Sequence, residues 1–317
     1  MEKVDIVFMS GTQTGCRYLE TIKKHKKANL KLTVTGSDRQ RGRGRKLSAS
    51  RVASYCKNHN MKIFKPENIN ADNSFKVLKK TNPDAGLVID YGQILSKKIL
   101  NLFSIGAYNV HYSLLPDLRG ATPVRTALLK GYKETGVSLM KMNKDLDKGE
   151  IVFRKKIKIR ENDNYGSLKK RQDREGQILV KKLIDSLACS NIPDATCQKE
   201  WGLGSYAPKM KKDICRINWH KDSQKIINKI KALTPGPGCY TFKDDKTKRI
   251  KIIHAEPYRG QLSGTPGEII KVRKKYFVVA SQKGGVKILK LQPAGKRVME
   301  TSAYLAGRNL KVGDKFQ

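Results

Sequence analysis

Short apolar bursts separated by longer, helix-compatible polar stretches run through the first half of the chain, and this alternation restricts the fold more than any other feature. KVDIVFM (3–9) predicts a buried strand, residues 14–27 a helix and LKLTVTG (30–36) a second strand. The order continues with a helix over 48–60, a short strand KIF (62–64), a helix over 74–82, the strand AGLVIDYG (85–92), a helix over 95–102 and a strand over 106–111. Strands alternating with helices join through right-handed crossovers into a mostly parallel, doubly wound α/β sheet. Such sheets bind their ligands beyond the carboxyl ends of the strands. A helix (123–130), GVSLMKM (136–142), EIVFRKKIKI (150–159) and a helix over 165–188 extend the pattern.

Beyond residue 189 the pattern breaks. CSNIPDATCQKEWGLGS (189–205) is polar and rich in turn formers, and reads as a linker. A helix over 223–233, a PGPG turn (235–238) and the β-like runs CYTFK, RIKIIHAEPY, GEIIKVRKKYFVVAS and GVKILKLQPAG follow. Short strands punctuated by Gly and Pro predict a small barrel or half-barrel. A length of 317 residues favours two domains, and the expected boundaries are 1–189, a linker over 190–205, and 206–317.

Sixty-six Lys and Arg against 28 Asp and Glu give a net charge of +38, a field that attracts polyanions. A Lys-rich bias of composition accounts for part of it. The charge is nevertheless denser toward the end: residues 205–317 hold 26 basic and 8 acidic side chains. A positive C-terminal region suits an RNA-binding surface. No run approaches the roughly 18–20 apolar residues that span a bilayer. The opening MEKVDIVFMS leaves no room for a signal or transit peptide, so a cytoplasmic protein is expected. The six cysteines are scattered, with a closest spacing of eight residues, which suits neither a disulfide framework nor a zinc ribbon.

The segment that carries chemistry is GAYNVHYSLLPDLRGATPVRTALLKGYKETGVSLMKMNKDLDKGEI (106–151). Asn109 and His111 stand two apart at the end of a predicted strand, so both side chains face one side of it. SLLP (113–116) makes a rigid turn next to that spot, and Asp147 lies in a DLDKG loop between two apolar runs that can return it beside the pair. An amide donor, an imidazole and a carboxylate converging on one point suit acyl transfer. Asn109 and protonated His111 would stabilise an oxyanion while Asp147 orients and charges the imidazole. No Ser or Cys stands with a partner base, so direct attack by a substrate amine is the natural route, and no metal is needed.

Asn109-Val110-His111, Ser113-Leu114-Leu115-Pro116 and Asp147-Lys148-Gly149, with RGATP (119–123) and KETGVSL (133–139) between them, resemble the formyltetrahydrofolate-dependent formyltransferase family. The resemblance implies a Rossmann-like formyltransferase domain with Asn109, His111 and Asp147 as catalytic residues. It further implies that 10-formyltetrahydrofolate, the formyl donor, binds near Ser113, Leu114, Leu115 and Pro116, with its pteridine also near Tyr91 and Gly92.

The family acts on glycinamide ribonucleotide, amino-sugar nucleotides or methionyl-tRNA. Several segments are similar to the branch that takes methionyl-tRNA. SDRQRGRGRKLSAS (37–50) resembles that branch's basic loop after the second strand, with Arg41, Arg43, Arg45 and Lys46 implied to grip the acceptor stem. YGSL (165–168), YAPKM (206–210), RINW (216–219), KALTPGPGCYT (231–241) and LQPAGKRVMETSAYLAGRNLKVGDKF (291–316) resemble its later motifs and its OB-like, C-terminal tRNA-holding β-barrel. The implied acceptor is initiator methionyl-tRNA, the implied role translation initiation, and the expected state a monomer. An amino-sugar nucleotide acceptor and a non-enzymatic RNA-binding scaffold remain the rivals; the glycinamide ribonucleotide enzyme lacks a second domain. Four positions depart from the family pattern: FMSGTQTG (8–15) without its usual proline, Asp90, Tyr112 and Gly236.

Overall fold

In a computed structural model, described for residues 3–41, 46–243, 249–261, 263–308 and 310–317, the chain forms two compact units. The first comprises Met1–Gly120, Gly136–Ile157 and Arg171–Tyr206; the second comprises Ala121–Thr135, Lys158–Lys170 and Ala207–Gln317.

The first unit is built on a seven-stranded sheet. Its strands in chain order are β1 (Val4–Met9), β2 (Ala28–Val34), β5 (Ile63–Phe64), β6 (Ala85–Val88), β7 (Gly106–His111), β8 (Glu134–Lys141) and β9 (Ile151–Lys158). A two-stranded ribbon of β3 (Arg39–Arg41) and β4 (Lys46–Ser48) lies apart from it. The spatial order is β5-β2-β1-β6-β7-β8-β9. Pairing is parallel from β5 through β7, and β8 runs antiparallel to β7. The sheet is therefore doubly wound and mostly parallel, as the alternation predicts. The chain steps outward from β1 to β2 and β5, then returns to the other side of β1 with β6. That reversal creates a crevice at the carboxyl ends of β1 and β6, the usual ligand position in such sheets.

The strands are apolar because both faces are covered: all four residues of β6 are buried. Helices α1 (Gln13–Lys24), α2 (Arg51–Asn58), α3 (Asp72–Lys79), α4 (Lys97–Leu100) and α6 (Tyr165–Leu187) alternate with the strands. Thr12 caps α1, accepting the Gly15 N–H at 3.2 Å, which shows how the FMSGTQTG variant still starts its helix. A Cβ at Gly15 would overlap the buried Ser10 side chain, so the glycine permits close strand-to-helix packing. Gly176 plays the same part in α6, where a Cβ would overlap Tyr18 Oη. Tyr112, a departure from the family pattern, is buried and donates to Tyr18 Oη at 3.3 Å.

In the second unit α5 (Pro123–Leu129) and α7 (Ser223–Leu233) accompany an antiparallel sheet. Its strands are β10 (Cys239–Phe242), β11 (Arg249–Tyr258), β12 (Ile269–Arg273), β13 (Tyr276–Ala280), β14 (Gly285–Pro293) and β15 (Met299–Glu300). The order is β10-β11-β14-β13-β12, with β15 beside β14. GEIIKVRKKYFVVAS, read from the sequence as one β-like run, is a tight hairpin: Arg273 pairs with Tyr276 across Lys274 and Lys275. The C-terminal residues close the sheet. Phe316 bridges Lys243 beyond β10, and Lys315 bridges Glu268 before β12, so both edge strands gain a partner and a small barrel results. Its core centres on Ile252, Phe277, Ile288 and Leu291, with Phe316 stacked on Trp219 at a ring separation of 6.2 Å and tilted against Phe277 at 5.7 Å. A helix, α8 (Thr301–Ala306), follows β15 and has no counterpart among the sequence expectations. At Gly236 a Cβ would meet nothing within 4 Å.

Candidate active site

Strand β7 carries the first two residues of interest. Asn109 pairs with Val88 of β6, and His111 pairs with Ser138 of β8. Being i and i+2, their side chains leave the same face at the carboxyl end of the strand. His111 is buried, and its Nε2 lies 2.9 Å from the Leu118 carbonyl. A carbonyl only accepts, so Nε2 is the donor there. Nδ1 lies 3.6 Å from Asp147 Oδ1. Both ring nitrogens thus face oxygens. Among the described residues the half-buried Asn109 amide makes no hydrogen bond, which leaves its N–H groups available to a ligand.

Asp147 reaches the imidazole from the loop between β8 and β9. Its Oδ2 accepts the Gly120 N–H at 2.8 Å, and its side chain is only 8% exposed. The residue has φ +54°, in the left-handed region that Asp tolerates better than most residues. Gly149 lets the loop close on itself, because a Cβ there would overlap the Lys141 carbonyl. Two distant segments, 109–120 and 147–149, are therefore joined through side chain and backbone around one imidazole.

The SLLP turn is equally well supported. The Ser113 hydroxyl donates to the Asp117 carbonyl, and the Leu115–Pro116 peptide is cis. Ser138 in β8 accepts the Leu115 N–H at 3.0 Å and donates to the Ser113 carbonyl at 2.8 Å. Leu115 is buried with Met140 and Ile151. Leu114 presses on Gly136, where a Cβ would overlap its side chain. Gln172 in α6, fully buried, donates to the Tyr112 and Gly136 carbonyls at 3.0 and 2.7 Å. Sequence reasoning missed Ser138 and Gln172 as supports. Ser138 stood within the family-like KETGVSL, a usable signal; Gln172 sat in a polar helix with none.

Tyr91 and Gly92 follow β6 at the switch point. Tyr91 packs beside Met9, Val88 and Leu95, and burial pushes its phenol up to about 12. Among the described residues its hydroxyl is buried without a hydrogen-bond partner. Gly92 has φ +86°, a conformation that favours glycine. In the basic loop, Arg41 and Lys46 are register partners across the β3–β4 ribbon. Arg43 and Arg45 lie outside the described residues. The loop's flanks are tied together by the buried Thr35 and Ser50 hydroxyls, 2.7 Å apart.

A buried imidazole between a carboxylate and a carbonyl, beside an unengaged amide, can hold charge on an acyl oxygen and take part in proton movement. The Ser113 hydroxyl is spent on a backbone carbonyl, as is that of Ser138, so the arrangement favours an external nucleophile.

Comparison with known proteins agrees with this chemistry. Residues 3–183 match the formyl transferase family model, and residues 209–309 match that of the formyl transferase C-terminal domain. The methionyl-tRNA formyltransferase of Thermodesulfovibrio yellowstonii is 37% identical, covering 90% of each chain. That of Kosmotoga olearia is 32% identical, covering 98% of this chain and 99% of its own. Among solved structures, an N-formyltransferase from Helicobacter canadensis in complex with folinic acid and dTDP-3-aminofucose superposes with a TM-score of 0.64 at 19% identity, covering 90% of this chain and 98% of its own. HypX from Aquifex aeolicus in complex with tetrahydrofolic acid gives 0.61 at 16% identity, covering 99% of this chain and 51% of its own. With a matching model over more than half its length and relatives above 30% identity along nearly all of it, the chain belongs to the formyl transferase family.

Proposed function

We propose that this chain transfers the formyl group of 10-formyltetrahydrofolate to the amino group of initiator methionyl-tRNA, giving N-formylmethionyl-tRNA for translation initiation. The observation that carries the chemistry is the buried His111–Asp147 pair beside the unengaged Asn109 amide. The methionyl nitrogen attacks the formyl carbon, and a C–N bond forms. Asn109 and His111 stabilise the oxyanion, while Asp147 supports the imidazole and assists loss of the amine proton. The folate C–N bond then breaks, and the folate nitrogen leaves with a proton. Ser113, Leu114, Leu115 and Pro116 hold the folate near the reacting carbon, with Tyr91 and Gly92 beside its pteridine.

In this reading residues 1–189 are the catalytic domain, 190–205 the linker, and 206–317 an OB-like domain that holds tRNA. Arg41, Arg43, Arg45 and Lys46 grip the acceptor stem. The protein acts as a cytoplasmic monomer. Among the described residues no helix is long and apolar enough to cross a membrane. Support for tRNA over an amino-sugar nucleotide comes from the relatives, which bear the tRNA enzyme's name at 32–37% identity, whereas the sugar-modifying neighbours share the fold at 19% or less. The positive charge of +38 points the same way.

The test is transfer of labelled formyl from 10-formyltetrahydrofolate, with methionyl-tRNA and amino-sugar nucleotides compared as acceptors. Methionyl-tRNA should be formylated, with acceptor affinity falling steeply as salt rises, because phosphate contacts release counterions. Transfer to the sugar nucleotide alone, with a shallow salt slope, would move the protein to the rival class.

A further inference from the structure

Gln198 stands in the stretch that reads from sequence as linker, yet only 3% of it is exposed. It lies at the start of a single 3₁₀ turn, Gln198–Trp201. Its amide nitrogen donates to two carbonyls of the DKG loop, Asp147 O at 2.9 Å and Gly149 O at 2.7 Å. Its amide oxygen accepts from Arg119 Nε at 2.9 Å. Both amide hydrogens and the oxygen are therefore spent on the two segments that frame His111. The first segment supplies the Leu118 carbonyl to the imidazole and the Gly120 N–H to the carboxylate. The second carries Asp147 itself, in the left-handed backbone region.

We infer that Gln198 is a positioning residue for the reaction, a clamp that fixes the Asp147 carboxylate against His111 by gripping the loop's carbonyls on either side of Lys148. This rests on the catalytic reading of Asp147. Two carbonyls pointing at one amide nitrogen can be bridged by NH₂ but not by a carboxylate, so the clamp depends on the donor and not on the side chain's size. Gln198→Glu keeps the volume and strengthens the Arg119 contact, but sets an acceptor against both carbonyls.

The experiment measures kcat and KM for methionyl-tRNA and 10-formyltetrahydrofolate in Gln198→Glu, Gln198→Ala, Asp147→Asn and the double variant Gln198→Ala/Asp147→Asn, with thermal melts alongside. A displacement of about 1 Å at a catalytic group costs on the order of 10²-fold in rate. Acting through Asp147, the clamp can cost no more than Asp147→Asn itself, so we expect kcat to fall at least roughly tenfold and at most by the Asp147→Asn factor in both single Gln198 variants, with either KM changed less than threefold and Gln198→Glu still folded. Because the clamp acts through Asp147, the double variant should be no slower than Asp147→Asn alone. Independent, multiplying losses, or full activity in Gln198→Glu, would overturn the clamp while leaving the site intact. Wild-type rates in Asp147→Asn would instead sink the catalytic reading beneath it.

Discussion

Replacing Asp147 by Asn isolates the carboxylate's charge. The carboxamide fits the same space, and its oxygen can keep the Gly120 N–H now bonded at 2.8 Å. What changes is the field at His111, whose Nδ1 lies 3.6 Å from the carboxylate. Unit charges at that separation attract by about 4–5 kcal/mol at an effective dielectric near 20. The amide NH₂ that replaces one oxygen also donates to an unprotonated Nδ1, and so favours the neutral ring. If about half of the attraction is expressed as the ring takes on charge in the transition state, the barrier rises by about 2–2.5 kcal/mol, or roughly 30- to 70-fold in rate. The assay is initial-rate formyl transfer at saturating donor and acceptor, with a melting curve to show that folding survives. Uniform binding should persist, so the loss should appear in kcat and not in KM. A kcat within threefold of wild type in a folded variant would refute the electrostatic role.

Three further outcomes test the supports. Ser138→Ala strips the partner from the buried Leu115 N–H and should cost about 1–3 kcal/mol in urea unfolding, with the KM for folate rising as the SLLP turn loosens; an unchanged midpoint would show that water replaces the hydroxyl. Phe316→Ala empties the aromatic stack that closes the C-terminal barrel and should destabilise that unit by about 3–5 kcal/mol, read by thermal or denaturant unfolding. Glu268 is held below its ordinary value of 4.5 by the Thr265 backbone N–H and hydroxyl. A depressed carboxyl contributes stability above its unfolded value and loses it as pH falls through the folded one, so Glu268→Gln should melt earlier at neutral pH and match wild type well below pH 4.5; an offset that persists in acid would mean another cause.

The residue order by itself determined the doubly wound sheet, because buried parallel strands must be apolar and the helices between them must show a helical period. It also placed Asn109 and His111 on one face, since a strand's period of two leaves no alternative. It marked the Asp147 loop through its D-K-G residues, which suit a left-handed turn and a close return to Lys141. Tertiary structure decided the rest. Gln198, 51 positions beyond Asp147, grips that residue's carbonyl although its own neighbours read as linker. Gln172 holds the backbone beside the SLLP turn from a helix whose local pattern does not distinguish it from other polar residues. Barrel closure by Lys315 and Phe316 depends on where edge strands finish in space. Local periodicity specifies the faces and the turns, but a hydrogen bond between distant residues exists only once the packed elements have brought donor and acceptor within about 3 Å.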